Sequence, residues 1–151
     1  SGGKDKTVRL WNIGNTSQQW SKSFPSEKIN AVAFSFDGNN LAVGQTFAFG
    51  NPVVVLETST GDTATYFAKL SSTSTCLEYN PDGRTLLSGS DDGFLSLFHR
   101  TLSFVNLHRS SGMASLTSLA IHPSGTMFAT GSSTGMVTLW STTNQWQKFN
   151  P

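Results

Sequence analysis

The chain has 151 residues, of which 36% are hydrophobic, 11% aromatic and only 13% charged, with a formal net charge of +1. This suits one ordinary domain and is too apolar for a disordered chain. A charge so near zero argues against a dominant electrostatic attraction to nucleic acid or to an acidic membrane surface. Along the chain, Val8 and Leu10 alternate at period two and run to Trp11, which predicts a strand. From Ile29 the pattern predicts four strands, near Ile29–Phe34, Asn40–Val43, Val53–Glu57 and Thr63–Ala68. Ala31 and Ala33 beside Val32 and Phe34 make both faces apolar, as in a sheet packed between two others. Leu77 and Tyr79, Leu95 and Leu97, Leu119 and Ile121, and Val137 and Leu139 continue the alternation. A short strand near Trp146–Phe149 ends the series. Turn-forming residues recur about every 8 to 12 positions and leave no window for a capped helix.

The strands belong to a repeat. Ser1-Gly-Gly-Lys-Asp-Lys-Thr-Val-Arg-Leu-Trp11, Ser88-Gly-Ser-Asp-Asp-Gly-Phe-Leu-Ser-Leu-Phe98 and Thr130-Gly-Ser-Ser-Thr-Gly-Met-Val-Thr-Leu-Trp140 align without gaps. A weaker copy runs from Val43-Gly44 to Leu56. Gly2, Gly44, Gly89 and Gly131 are spaced 42, 45 and 42, while Trp11, Leu56, Phe98 and Trp140 are spaced 45, 42 and 42. A three-residue insertion within Gln45 to Asn51 reconciles the two series. Ala33-Phe-Ser-Phe-Asp-Gly38, Glu78-Tyr-Asn-Pro-Asp-Gly83 and Ala120-Ile-His-Pro-Ser-Gly125 each read as a strand and a tight turn. Pro presets φ in such a turn and Gly supplies a positive φ.

Four strands per repeat of about 40 to 45 residues, with the pattern Ser-Gly-x-x-Asp-x-Thr-Val-x-Leu-Trp, resemble the WD40 β-propeller family over essentially the whole chain. The resemblance implies an all-β fold, a WD40-type β-propeller fragment of about three and a half four-stranded antiparallel blades. Its divisions are a partial blade over 1–28 and blades over 29–70, 71–115 and 116–151. The family's polar blade lock maps onto Ser1, Asp5 and Trp11, onto Ser88 and Asp92 with Phe98 in place of Trp, and onto Thr130 and Trp140 with Thr134 in place of Asp. In the weak copy Val43, Gly50 and Leu56 take those positions, so none of the lock is present. No copy ends in Trp-Asp and no Gly-His pair precedes a first strand, so these blades depend on apolar packing.

A propeller needs four to eight blades, and seven at this period take about 300 residues. An uncovered blade face at each end would cost on the order of 10 kcal/mol at about 25 cal/mol per Å², comparable to the stability of a whole domain. The remaining blades are therefore expected from further sequence or from another subunit, and the isolated segment is expected to self-associate.

Tempting chemistry has plainer readings. Gly131-Ser-Ser-Thr-Gly135 matches the nucleophile-elbow pattern, which works only between a strand and a helix, and its sister copies are strand-to-strand turns. Asp91 and Asp92 could be an acid pair, but Asp92 sits at the locking position and Asp91 reads as exposed. His99, His108 and His122 lack the spacing of metal ligands, so no metal and no cofactor are expected. Asn15-Thr16-Ser17 is a sequon in a polar loop and reads as incidental. No run approaches the 18 apolar residues of a membrane span, Ser1–Asn12 does not read as a signal peptide, and the lone Cys76 suits a reducing compartment. An intracellular protein, in cytoplasm or nucleus, is expected.

The resemblance implies a non-catalytic interaction module in a multi-subunit protein assembly, without cofactors and not an enzyme. The alternatives are a ribonucleoprotein-associated propeller contacting RNA or its binding proteins and, more remotely, an enzyme on the same scaffold. Direct nucleic-acid binding and membrane association are not expected. The implied recognition surface is built from the turns between second and third strands and the loops entering each first strand. It comprises Lys4, Phe47, Phe49, Asp91 and Ser133, with Glu27, Lys28, Ser72 and Ser115 as weaker members. Phe47 and Phe49 stand in the insertion; aromatic side chains are favoured anchors at interfaces, but an enlarged loop can also fold its aromatics onto its own blade.

Overall fold

Alternating apolar residues between turn signals can bury one side of a strand only by pairing it, and the chain pairs each strand with its sequence neighbour. The computed structural model describes residues 1–24, 28–46, 52–67, 72–99, 105–109, 114–143 and 147–148, and no helix occurs among them. β1 (Thr7–Trp11) and β2 (Gln18–Ser23) form a two-stranded sheet. The second sheet is β3 (Ile29–Phe34), β4 (Asn40–Gln45), β5 (Val53–Glu57) and β6 (Thr63–Phe67). The third is β7 (Ser74–Tyr79), β8 (Thr85–Ser90), β9 (Phe94–His99) and β10 (Val105–Arg109). The fourth is β11 (Leu116–Ile121), β12 (Met127–Ser132), β13 (Val137–Ser141) and β14 (Gln147–Lys148). Every pairing is antiparallel and consecutive. A two-stranded sheet followed by three four-stranded antiparallel sheets is the all-β arrangement of blades that the repeat predicts.

β3 and β5 have the bounds expected from the sequence. β4 runs two residues further, because Gly44 and Gln45 still pair with Ala31 and Ile29, and Gln45 N–H donates to Pro52 O at 2.8 Å. Of the strand expected at Thr63–Ala68, Ala68 lies outside the described residues, as do Trp146 and Phe149 around β14. The turns closing the first hairpin of each full blade form as read, with Gly38, Gly83 and Gly125 at φ of 72, 66 and 70°. Among them, Asp82 closes its turn by accepting hydrogen bonds from Arg84 N, Thr85 N, Thr85 Oγ1 and Asn80 Nδ2. Burial alone would push its carboxyl up, but these four bonds outweigh it and hold the pKa below the ordinary value.

The core lies between sheets. Val8 packs with Ile29, Leu41, Val43, Val54 and Leu56 between the first two. Ala42, Val53 and Val55 meet Leu77, Leu86 and Phe98 between the second and third. Cys76, Leu87 and Leu95 meet Leu116, Phe128 and Trp140 between the third and fourth. The first strands β3, β7 and β11 lie side by side, which gives the repeated glycine its physical reason. A Cβ on Gly2 would collide with Ile29, one on Gly44 with Ser74 Oγ at 2.7 Å, and one on Gly89 with Cys76 Sγ at 2.6 Å and Leu116 Cβ at 3.0 Å. At Gly2 and Gly44 the glycine is needed because the next sheet's first strand rests directly on it, at Gly89 because Cys76 of its own sheet and Leu116 of the next both approach, and at Gly131 because Ser118 of its own sheet does.

One expectation about packing is overturned. β3 was expected to be covered on both faces, yet Val32 and Phe34 are 37% and 53% exposed. Their counterparts Leu77 and Tyr79 are shielded by the preceding four-stranded sheet, whereas the sheet preceding β3 is only β1 and β2.

Candidate functional site

Each turn between a second and a third strand is tied to the loop that enters a first strand. Thr46 N–H donates to Lys28 O at 3.0 Å, Asp91 N–H to Thr73 O at 3.1 Å, and Ser133 N–H to Ser115 O at 2.8 Å. Ser72 Oγ also donates to Asp91 Oδ1. The tertiary structure thus brings Asp91 to Ser72 and Ser133 to Ser115, and holds Lys28 against the start of the insertion. Lys4 occupies the matching turn before β1, where Gly3 O accepts from Ile29 N at 3.2 Å. Glu27, Phe47 and Phe49 lie outside the described residues.

The locking positions serve two local purposes. Trp11 Nε1 donates to Ser1 Oγ at 3.2 Å and Trp140 Nε1 to Thr130 Oγ1 at 2.9 Å. Where Phe98 replaces Trp, Ser88 Oγ pairs instead with Ser74 Oγ at 2.9 Å. Asp92 accepts from Ser90 Oγ and from Phe94 N within its own turn. Asp5 does the same with Thr7 and takes Arg9 Nη1 at 2.7 Å, and these bonds hold its exposed carboxyl below the ordinary value. A net hydrogen bond contributes about 1 kcal/mol and a fully buried Leu, Val or Phe about 1.5 to 3 kcal/mol, so the apolar inter-sheet clusters outweigh the polar lock.

The groups that could suggest catalysis are placed without converging. Ser133 stands in a turn between β12 and β13, closed by Gly135 N–H on Ser132 O at 3.0 Å. His122 is exposed in a turn, with Nδ1 2.7 Å from Ser124 Oγ. Cys76 is buried, and burial pushes its thiol pKa up, away from nucleophilic thiolate. Among the described residues no cluster of three or more His, Cys, Asp or Glu is placed to hold a metal ion, and no helix is long and apolar enough to cross a membrane.

A cleft of about 350 Å³ between the second and third sheets was missed in reading the sequence. Its walls include Ser35, Val55, Phe67, Leu86 and Phe98, and exposed Arg84 and Asp37 also line it. The signal for it lay in the repeat register. Ser35, Val55, Leu86 and Phe98 align with Asn80, Leu97, Phe128 and Trp140, so each is the smaller member of its pair.

Residues 63–99 and 102–141 match the WD40 family, described as WD domain, G-beta repeat. The chain belongs to that family. The two matches run from β6 to β9 and from β10 to β13, so each sequence repeat begins with the last strand of one sheet. No curated protein was found to match the chain. WD40 repeats generally mediate protein–protein interaction.

Proposed function

We propose that the chain is a non-catalytic protein-interaction scaffold in a multi-subunit assembly, its ring completed by further blades from the same polypeptide or another subunit. The observation that carries this reading is the tying of successive turns to their entering loops at one end of the blades, at Lys28–Thr46, Thr73–Asp91 and Ser115–Ser133. Backbone held in this way presents Lys4, Asp91 and Ser133 on a stiff frame, which lowers the ordering cost a partner must meet. Phe47 and Phe49 of the insertion are the aromatic anchors of the proposed surface. Affinity purification of the intact polypeptide tests it. Phe47→Ser with Phe49→Ser is expected to lose co-purified proteins with the melting temperature unchanged. Loss of binding and stability in equal measure would overturn a dedicated contact role.

A further inference from the structure

The outer edges of the sheets differ in how they are guarded. β2, β6, β10 and β14 each pair on one side only. An edge strand offers unpaired N–H and C=O groups to any other strand, and proteins blunt it with charged side chains or irregular pairing. Irregular pairing is shared, since β2, β6 and β10 each meet their neighbour through one register shift. Charge is not shared. β2 carries Lys22, β10 carries Arg109 and β14 carries Lys148, whereas β6 reads Thr-Ala-Thr-Tyr-Phe and carries none. Thr63, Ala64 and Thr65 are exposed, and Tyr66 is 60% exposed. Threonine, tyrosine and phenylalanine all favour a strand, so this edge is both open and suited to pairing.

The same edge is compatible with itself. Thr65, Tyr66 and Phe67 pair in regular register with Val55, Val54 and Val53. An antiparallel pair of copies centred on Tyr66 sets Tyr66 against Tyr66 and Thr65 against Phe67. Aromatic pairs and aromatic–β-branched pairs of this kind stabilise a sheet. Lys22 reaches the start of the strand, where its Nζ donates to Gly61 O at 2.9 Å and to Thr63 Oγ1 at 3.1 Å. Across the pair, the two Thr63 residues and the Lys22 groups on them stand roughly 20 Å apart at about 3.3 Å per residue. That exceeds the screening length of about 8 Å at physiological salt. Joining β2 or β10 to its own copy would instead carry two like charges, of Lys22 or of Arg109, into the joint.

We infer that β6 is the joint for a second copy of this polypeptide, the two outer edges pairing antiparallel about Tyr66. Few residues a side take part, against the roughly 20 to 30 of a stable interface, so the dimer is weak and reversible. It uses a strand edge rather than the turns proposed to bind other proteins, so it can fail while that reading stands. Sedimentation velocity of the intact polypeptide is expected to show a mass that rises with concentration and saturates at two copies. Hydrogen exchange at Thr65–Phe67 is expected to slow in step. Tyr66→Lys and Tyr66→Glu, each alone, are expected to weaken the dimer about fivefold, the scale of one unfavourable cross-strand pair. An equimolar mixture of the two is expected to regain the lost affinity, and Ser21→Lys, on β2, to leave the dimer unchanged. A monomer at every concentration, association past two copies, or a mixture no tighter than either variant would overturn the joint. Should the Tyr66 variants fail to fold, exchange at Thr65–Phe67 that does not change with concentration would overturn it.

Discussion

At the scale of single residues, the position before each third strand shows how one backbone conformation is met by different side chains. Gly93 and Gly135 hold φ of 83 and 80°, and Lys6 at the same place in the first copy holds 64°. A left-handed residue with a Cβ costs about 1 to 2 kcal/mol, while glycine's extra freedom in the unfolded chain costs about 0.5 to 1 kcal/mol. The first term wins, so Lys6→Gly is expected to stabilise the intact polypeptide by about 0.5 kcal/mol, visible as a rise in thermal midpoint. Lys6 N–H to Gly3 O and Phe24 N–H to Lys6 O are backbone bonds that the substitution leaves in place. The alignment made this position legible as a turn, but its conformation was not, since lysine gives no local sign of a positive φ.

At the scale of elements, β7 carries a carboxylate where its sister strands carry alanine. Glu78 aligns with Ala33 and Ala120, and its Oε2 accepts from Ile121 N of the neighbouring β11 at 3.1 Å. Burial raises its pKa above the ordinary 4.5, and the bond from Ile121 only partly opposes this. A carboxyl whose folded pKa is raised contributes stability that is full below its unfolded pKa and is lost as pH rises through the folded value. Glu78→Gln keeps an acceptor for Ile121 without a charge. It is expected to gain roughly 0.5 kcal/mol over the parent at pH 7, the scale of a screened, partly exposed charge. The gain is expected to vanish near pH 4 in urea midpoints taken at both values, and an equal difference at both would refute it. Most strands were legible from alternation, but β2, with Trp20 as its one apolar residue, gave no such signal. The division into sheets was less so, because a repeat such as 63–99 takes β6 from one sheet and β7 to β9 from the next.

At the scale of the whole molecule, the two outermost faces are halves of the contact that recurs between the sheets. Leu56, Phe98 and Trp140 are buried against the preceding sheet, whereas Trp11 at the same position is 46% exposed. Val53 with Val55 and Leu95 with Leu97 are buried under the following sheet, whereas Val137 and Leu139 are 72% and 55% exposed. Matching uncovered faces at opposite ends form a heterologous, head-to-tail pair of surfaces. The isolated segment is therefore expected to associate in sedimentation velocity as concentration rises, and Val137→Lys with Leu139→Lys to suppress the association. A monomer whose melting is sharp and independent of concentration would contradict this.

Period, alternation and turn chemistry are local properties, and they sufficed for the all-β class, the strand positions, the positive-φ turn glycines and the family. What the side chains meet across the sheets was decided by tertiary packing. The exposure of Val32 and Phe34, the joining of Asp91 to Ser72 and of Ser133 to Ser115, and the cleft beside Phe98 all depend on residues more than a dozen positions apart. Two repeats with the same pattern of apolar residues pack differently where their side-chain volumes differ. A volume becomes a cavity or a contact only once the neighbouring sheet is in place.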